Sequence, residues 1–560
     1  MTQPWRPITL LLFVPMTIYL IVVMVWHAQG TNPITGDEPH YLLVADSLLR
    51  DGDLAVLNNY RIDTPVAREL PGSAAPADTH TQNGHSIHGV GLPLLLLPAY
   101  ALGGVLGAKL WLALLVGLTP LAVYHAARAI VPGTGWPVAI AVLIGLGQPF
   151  VSAAGQIYPD LIAGLIMFWL LGAMADPHPP ARSPSRGLGG AGQRWIDGLL
   201  LASLPWLHIK FILPAVIICL AYAQSGVSHG STQPDSLATK RRRGAAILSK
   251  NAPTAVITDS LATKRRRGEA ILSKNAPTAV ITDSLATKRR RGEALRVSSS
   301  PHRLVASSQN CKAECAHFET CLMQRNRHFT PTILSISLIS LGLYNWRAFG
   351  AILGPYQPGD ATVLPTQIGM IFLGLHIDRM QGLFVQAPLL LLGVFGLAFF
   401  IAEQRQLAII TGLVYLAVML PHAAHTNWYG GTSFAGRFFW STALLWCFPL
   451  LYAVRHLQTC ARLRLRLGLL MAVPVQVIFL TKVLIPNSYT YNSTVRGAAS
   501  WLESNPYSDF FDLPASQRAQ FLPSFRDVDS YLRSPTNWVY ISLLGCVAGA
   551  GYCALRRRVR

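Results

Sequence analysis

At 560 residues, 51% apolar and 13% charged, with a mean hydropathy of +0.37, the chain is too apolar for a soluble protein of its size and reads as a bilayer protein. Its formal charge of +20 would suggest a nucleic-acid partner if spread over one folded face. The basic residues instead cluster beside apolar runs, which sets nucleic acid aside and points to membrane topology.

The first apolar stretch, Ile8 to His27, is too long for a cleaved signal and is followed by no small-residue cleavage site, so it reads as an uncleaved anchor. Next comes GDEPHYLLVADSLL at 36–49, with Asp37 and Glu38 adjacent at the bilayer boundary. A carboxylate there is costly and usually has a partner or a task. Asp37 has the position of a helix cap, with Glu38 in the first turn and Pro39 at a favoured early place. It also suits a general base fixed by a helix N-terminus, with Tyr41 one turn on as support. The two readings are compatible. The loop 28–108 closes with HSIHGVGLPLLLLPAY at 85–100, and Gly91 to Gly107, punctuated by Pro93 and Pro98, reads as an interfacial helix.

With about 20 apolar residues per span, further spans are expected near 109–129, 136–153, 160–175, 196–208, 211–224, 330–346, 384–401, 406–421, 437–454, 466–484 and 537–554, twelve in all with the first. The expected fold is an all-α polytopic membrane protein. Basic connections place both termini in the cytoplasm and send 28–108, 347–383, 422–436 and 485–536 to the opposite side. QIYPDL at 156–161 puts Asp160 at the head of a span, as a cap or as a sugar or cation contact. Lys210 falls at the tip of a hairpin between two short spans.

The insertion 225–329 separates an N-terminal part, 1–224, from a C-terminal part, 330–560. Within it DSLATKRRRGAAILSKNAPTAVIT begins at Asp235, recurs with one change at Asp259 and restarts at Asp283, a period of 24 residues. The unit has no apolar face to bury, so it reads as a disordered cytoplasmic segment, with a tether to anionic lipid as the functional alternative. Cys311, Cys315, His317 and Cys321 match no zinc-knuckle spacing and read as free thiols, and no disulfide framework is expected.

Downstream, YNWRAFG (344–350), HIDRMQGLF (376–384) and NWYGGTSFAGRFF (427–439) fall on the outward side. Arg379 and Arg437 are either headgroup anchors or anion-binding groups. Trp428 and Tyr429 either stack on a sugar or anchor the interface.

The acid pair with its following Tyr, the loop motif at 85–100, QIYPDL and the three downstream motifs, in this order, resemble the GT-C membrane glycosyltransferases. The branch resembled is that of bacterial protein O-mannosyltransferases and lipid A aminoarabinose transferases (glycosyltransferase family 39). The resemblance covers about 1–224 and 330–454. It implies a helical bundle in the cell membrane, a bacterial inner membrane in the branch resembled. It also implies an extracytoplasmic site beneath the first loop, a sugar donor on polyprenyl phosphate and a hydroxyl acceptor on lipid, glycan or protein. Asp37 then matches the general base, Glu38 the adjacent acid that orients base or acceptor, and Asp160 the second acidic motif. Arg437, Arg379 and Lys210 are the candidates to neutralise the leaving phosphate, with Tyr41, His85, His88 and Trp428 as further substrate contacts. No cofactor is required, although Asp37 with His85 or His88 could hold a divalent metal as some members do. Two departures stand out. Pro39 occupies a place where some relatives lead into an Arg, and His-Gly at 88–89 replaces a frequent Lys-Pro. The alternative class is a transporter or lipid flippase, against which stand the lack of matching halves and the gathering of ionisable groups at one boundary.

Overall fold

The computed structural model describes residues 5–60, 80–133, 135–175, 190–225, 329–355, 365–430, 433–460, 463, 468, 473–478, 481, 522–525 and 534–559. Met1–Gly226 and Arg325–Arg560 make one compact unit, and Val227–Gln324 a second that lies outside the described residues. The basic repeats, Cys311, Cys315, His317, Cys321 and most of 466–484 lie outside them too.

The described chain is mostly helical. It runs through α1 (Trp5–Ala28), α2 (Glu38–Arg50), α3 (Gly91–Val116), α4 (Thr119–Ile130), α5 (Gly135–Gly145), α6 (Asp160–Ala175), α7 (Gly190–Leu207), α8 (Ile212–Ser225), α9 (Phe329–Phe349), α10 (Pro365–Ile377), α11 (Leu391–Glu403), α12 (Arg405–Ala423), α13 (Arg437–Ala443), α14 (Cys447–Cys460) and α15 (Pro535–Val559). Among the described residues four stretches are long and apolar enough to cross a membrane: Gly91–Ile130, Arg405–Ala423, Arg437–Cys460 and Pro535–Arg558. Several others, including Asp160–Ala175 and Ile209–Gln224, are apolar but shorter.

The differences from the expected spans have local causes. The apolar run beginning at Gly91 is helical from its first residue but breaks at Gly103 and Gly104, whose dihedrals leave the helical region. The run around 196–224, by contrast, divides where the sequence placed its break, at an extended His208 and a short 3₁₀ turn, Ile209–Phe211. The 13-residue α10, Pro365–Ile377, is an apolar helix inside a segment read as a loop, because a run this short does not register as a span.

Among the described residues the sole strand pair is Thr81–Gln82 against His85–Ser86. Asn83 and Gly84 turn it with positive φ of 52° and 79°, as a two-residue hairpin of this twist requires.

The two parts of the chain interlock: α6 packs on α13, α8 on α12, and α7 on α9. At the first of these contacts a Cβ on Gly164 would lie 2.8 Å from Ser441 O and 3.0 Å from its Cα. Gly164→Leu is therefore expected to force α6 off α13 and to cost about 1–3 kcal/mol, as overpacking does. A lowered thermal midpoint in detergent checks this; a wild-type midpoint would show that the helices separate freely.

Candidate functional site

Asp37 stands at the N-cap position of α2, and its backbone carbonyl accepts from His40 N (3.1 Å) and Tyr41 N (3.3 Å). Its side chain makes no capping bond. Instead Oδ2 accepts from Arg437 Nη1 at 2.8 Å, across 400 residues of sequence. The aspartate side chain keeps 29% of its surface accessible, so a small polar group can reach it.

Arg437 is the first residue of α13, following Gly436, which sits at φ +80°. A Cβ there would also lie 2.4 Å from the Phe439 ring, so glycine is needed for the turn that aims Arg437 at Asp37. The guanidinium carbon lies 4.5 Å from the Tyr158 ring centroid and 5.2 Å from that of Phe438. Arg437 Nε is buried with no acceptor among the described residues.

A second ion pair lies alongside. Lys210 Nζ donates to Asp160 Oδ1 at 2.6 Å and approaches His422 Nε2 at 3.5 Å. Its backbone N donates to His208 Nδ1 at 3.2 Å, which fixes the 3₁₀ turn. The His422 ring stacks on Phe438 with centroids 4.2 Å apart, linking the two pairs through one aromatic. Lys210→Met is expected to strand a buried carboxylate and to cost about 3–5 kcal/mol. Adding Asp160→Asn should recover most of that loss in thermal unfolding; no recovery would deny the pair.

Glu38, beside Asp37 in sequence, faces elsewhere. It is fully buried, its Oε2 accepting from Thr35 N at 2.9 Å and its Oε1 from Ile157 N at 2.7 Å. Tyr158 donates to Thr35 O at 3.0 Å, Gln156 Nε2 to Asn32 Oδ1 at 2.7 Å, and Lys109 Nζ to Asn32 O at 2.7 Å. Together these clamp 32–38 to 156–158 and thereby hold Asp37 near Tyr158 and Asp160.

The electrostatics of the two acids diverge. Burial pushes the Asp37 carboxyl up, but Arg437, with His88 and His40, outweighs it and holds the group well below the usual carboxylate range. Burial raises Glu38 despite Lys109 and its two amide donors.

The β-hairpin brings His80 and His88 together, with Ile87 N donating to His80 O at 3.0 Å. His40, His80 and His88 then gather with their candidate ligand nitrogens within 4.8 Å of one another. Burial lowers His40 to about 3 and His88 to about 4, so both are neutral imidazoles at neutral pH. Tyr41 packs on His88, ring centroids 5.3 Å apart. A small open cleft lies beside them, lined by His88, Trp206, His208, Tyr344 and Phe349.

Of the residues singled out in the sequence, the structure thus assembles Asp37, Tyr41, His88, Asp160, Lys210 and Arg437. His85 lies at the hairpin turn, its Nδ1 3.0 Å from Asn83 O and its ring against Phe349. Arg379 sits in a turn that serves the C-terminal segment: its N donates to Pro523 O at 2.9 Å, and the neighbouring Asp378 Oδ2 accepts from Phe525 N at 2.9 Å. Trp428 is buried, against the backbone near Gly374. Tyr158 and Phe438, whose rings cover Arg437, were not singled out. Each lies inside a quoted motif, but an aromatic there carries no sequence mark that separates a cation's platform from ordinary packing.

The opposite end of the bundle has another character. Glu403 Oε2 meets Arg455 Nη1 at 2.9 Å and Glu403 Oε1 meets Arg558 Nη1 at 2.7 Å. Arg455 and Arg437 belong to the same long helical stretch, Arg437–Cys460, and at 1.5 Å per residue stand about 27 Å apart along it. Comparison of the chain with protein-family models, curated proteins and solved structures gives no match.

Proposed function

We propose that this chain is an integral-membrane glycosyltransferase of GT-C type, moving a sugar from a polyprenyl-phosphate donor to a hydroxyl acceptor on the extracytoplasmic side. The observation that carries this reading is the Asp37–Arg437 pair: a partly accessible carboxylate and a guanidinium with an unsatisfied Nε are held side by side, with a second cation, Lys210, nearby. Transfer needs a base for the acceptor hydroxyl and cations for the departing phosphate, and those are the groups gathered here.

In the resting site Arg437 makes Asp37 a weak base. When the donor phosphate arrives it competes for Arg437, the pairing with Asp37 loosens, and burial restores the carboxylate's basicity. Asp37 then takes the acceptor's proton as the acceptor oxygen bonds to the anomeric carbon. The anomeric C–O bond breaks with its electron pair on the phosphate oxygen, whose charge Arg437 and Lys210 hold. Glu38 acts as a positioning residue through the 32–38 clamp. The small cleft beside His88 and His208, walled by Trp206, Tyr344 and Phe349, sets aromatic faces next to these groups.

Sidedness is supported by the basic cluster at Arg455 and Arg558, which the positive-inside rule assigns to the cytoplasm. The site then lies one membrane thickness away. Deleting the gene in its host tests the reading. One polyprenyl-phosphate sugar should accumulate while its sugar disappears from a glycan, lipid or protein; unchanged pools of both would contradict it.

A further inference from the structure

We propose that His40, His80 and His88 form a binding site for a divalent transition-metal ion of the zinc class, held by three imidazole nitrogens. The inference goes beyond the glycosyltransferase reading and stands without it.

Three observations converge. First, the candidate ligand atoms, one per residue, lie within 4.8 Å of one another, and His88 Nε2 is 3.4 Å from His80 Nδ1. Two nitrogens bound to one tetrahedral zinc at about 2.0–2.1 Å are separated by about 3.3–3.4 Å, a spacing that this pair, in hydrogen-bond contact here, would regain once the rings turn toward one ion. Second, His40 is 1% exposed and its Nε2 is buried without a partner among the described residues. A lone buried imidazole nitrogen in a cluster of imidazoles lacks what a cation would supply. Third, His40 Nδ1 is taken up by Tyr60 Oη at 2.5 Å. With Nδ1–H donating to that oxygen, the lone pair falls on Nε2, the outer-shell arrangement that orients metal-bound histidines.

The nitrogen-only donor set selects zinc, copper, nickel or cobalt over magnesium or calcium. The rings stand nearly parallel, His40 to His80 at 20° and His40 to His88 at 10°. Convergence on one ion therefore requires His80, the least buried of the three, to turn about its ring bond. His40 comes from α2, whereas His80 and His88 flank the hairpin. A bound ion would staple the hairpin to α2 three residues past Asp37 and leave a fourth tetrahedral position for water or a phosphate oxygen.

The test is cobalt(II) binding to the purified full chain after treatment with a chelator. Wild type is expected to retain one cobalt per chain and to show the intense visible absorption of a tetrahedral site. His80→Gln and His88→Gln should lose both signals, and Tyr60→Phe should weaken binding about 10–100-fold. His27→Gln, exposed at the end of α1, should match wild type. If His88→Gln fails to fold, His80→Gln decides, since His80 is only half-buried. No cobalt retained by wild type, or equal retention and spectrum in folded His80→Gln, would overturn the proposal.

Discussion

Asp37→Asn is expected to reduce sugar transfer about 10²- to 10⁴-fold, the range a positioned general base supplies, while leaving the protein folded. Asparagine keeps an oxygen that can accept from Arg437 Nη1, at 2.8 Å in the wild type, so α2 and α13 should stay in register. The loss should fall on kcat, because the proton is taken only as the new bond forms. The double variant Asp37→Asn/Arg437→Gln should be far more active than the product of the two single losses would give, because both residues act on one step. Rates measured with a fixed donor and acceptor, beside the thermal midpoint of each variant, check this. A folded Asp37→Asn protein turning over at the wild-type rate would remove the base from the mechanism.

Arg437→Gln is expected to lower transfer about 10²- to 10³-fold, comparable with losing one preorganised donor to a developing oxyanion. It should also change the pH dependence in a defined direction. Burial alone raises the Asp37 carboxyl, and Arg437 is the largest opposing influence. In wild type the acid limb of kcat/KM, which reports the free enzyme, should therefore lie below the usual carboxylate range. Without the guanidinium, burial acts with less opposition and the limb should move to higher pH. The same linkage governs stability: the ion pair contributes fully above the unfolded carboxyl's value, near 3.9, and its contribution is lost as pH falls from there through the depressed folded value. Arg437→Lys should rescue poorly, because an ammonium lacks the planar face that lies 4.5 Å over Tyr158 and the fork that can hold two oxygens. An acid limb that stays in place in Arg437→Gln would show that Asp37 is not the group being titrated.

Much of the helical character, and several residues of the candidate site, were legible in the sequence. Asp37, Asp160, Lys210 and Arg437 stood out because a charge beside an apolar run is expensive, and each is found in an ion pair. The pairing itself was not legible: Asp37 and Arg437 are 400 positions apart, and either could have served as a cap or an anchor. Glu38 shows the limit more sharply. In sequence it is indistinguishable from its neighbour, but one helical step turns it to the amides of Thr35 and Ile157. Lys109 lies within a predicted span, and nothing local announced that it would reach Asn32 O. The histidine cluster depends on an Asn83–Gly84 turn that returns the chain, a short-range signal whose consequence is the meeting of three distant rings. Continuous helices were harder to place, because Gly103 and Gly104 interrupt an apolar run that composition alone treats as unbroken.

The central claim concerns Asp37: that its carboxylate faces the extracytoplasmic side and accepts a proton from a hydroxyl while a lipid phosphate departs. The most direct measurement uses sealed right-side-out vesicles carrying the chain and a sugar-loaded polyprenyl phosphate, with a membrane-impermeant hydroxyl acceptor added outside. One polyprenyl phosphate should be released per acceptor modified, and neither product should form with Asp37→Asn. Transfer that requires the acceptor inside the vesicle, or equal release by the two proteins, would contradict the claim.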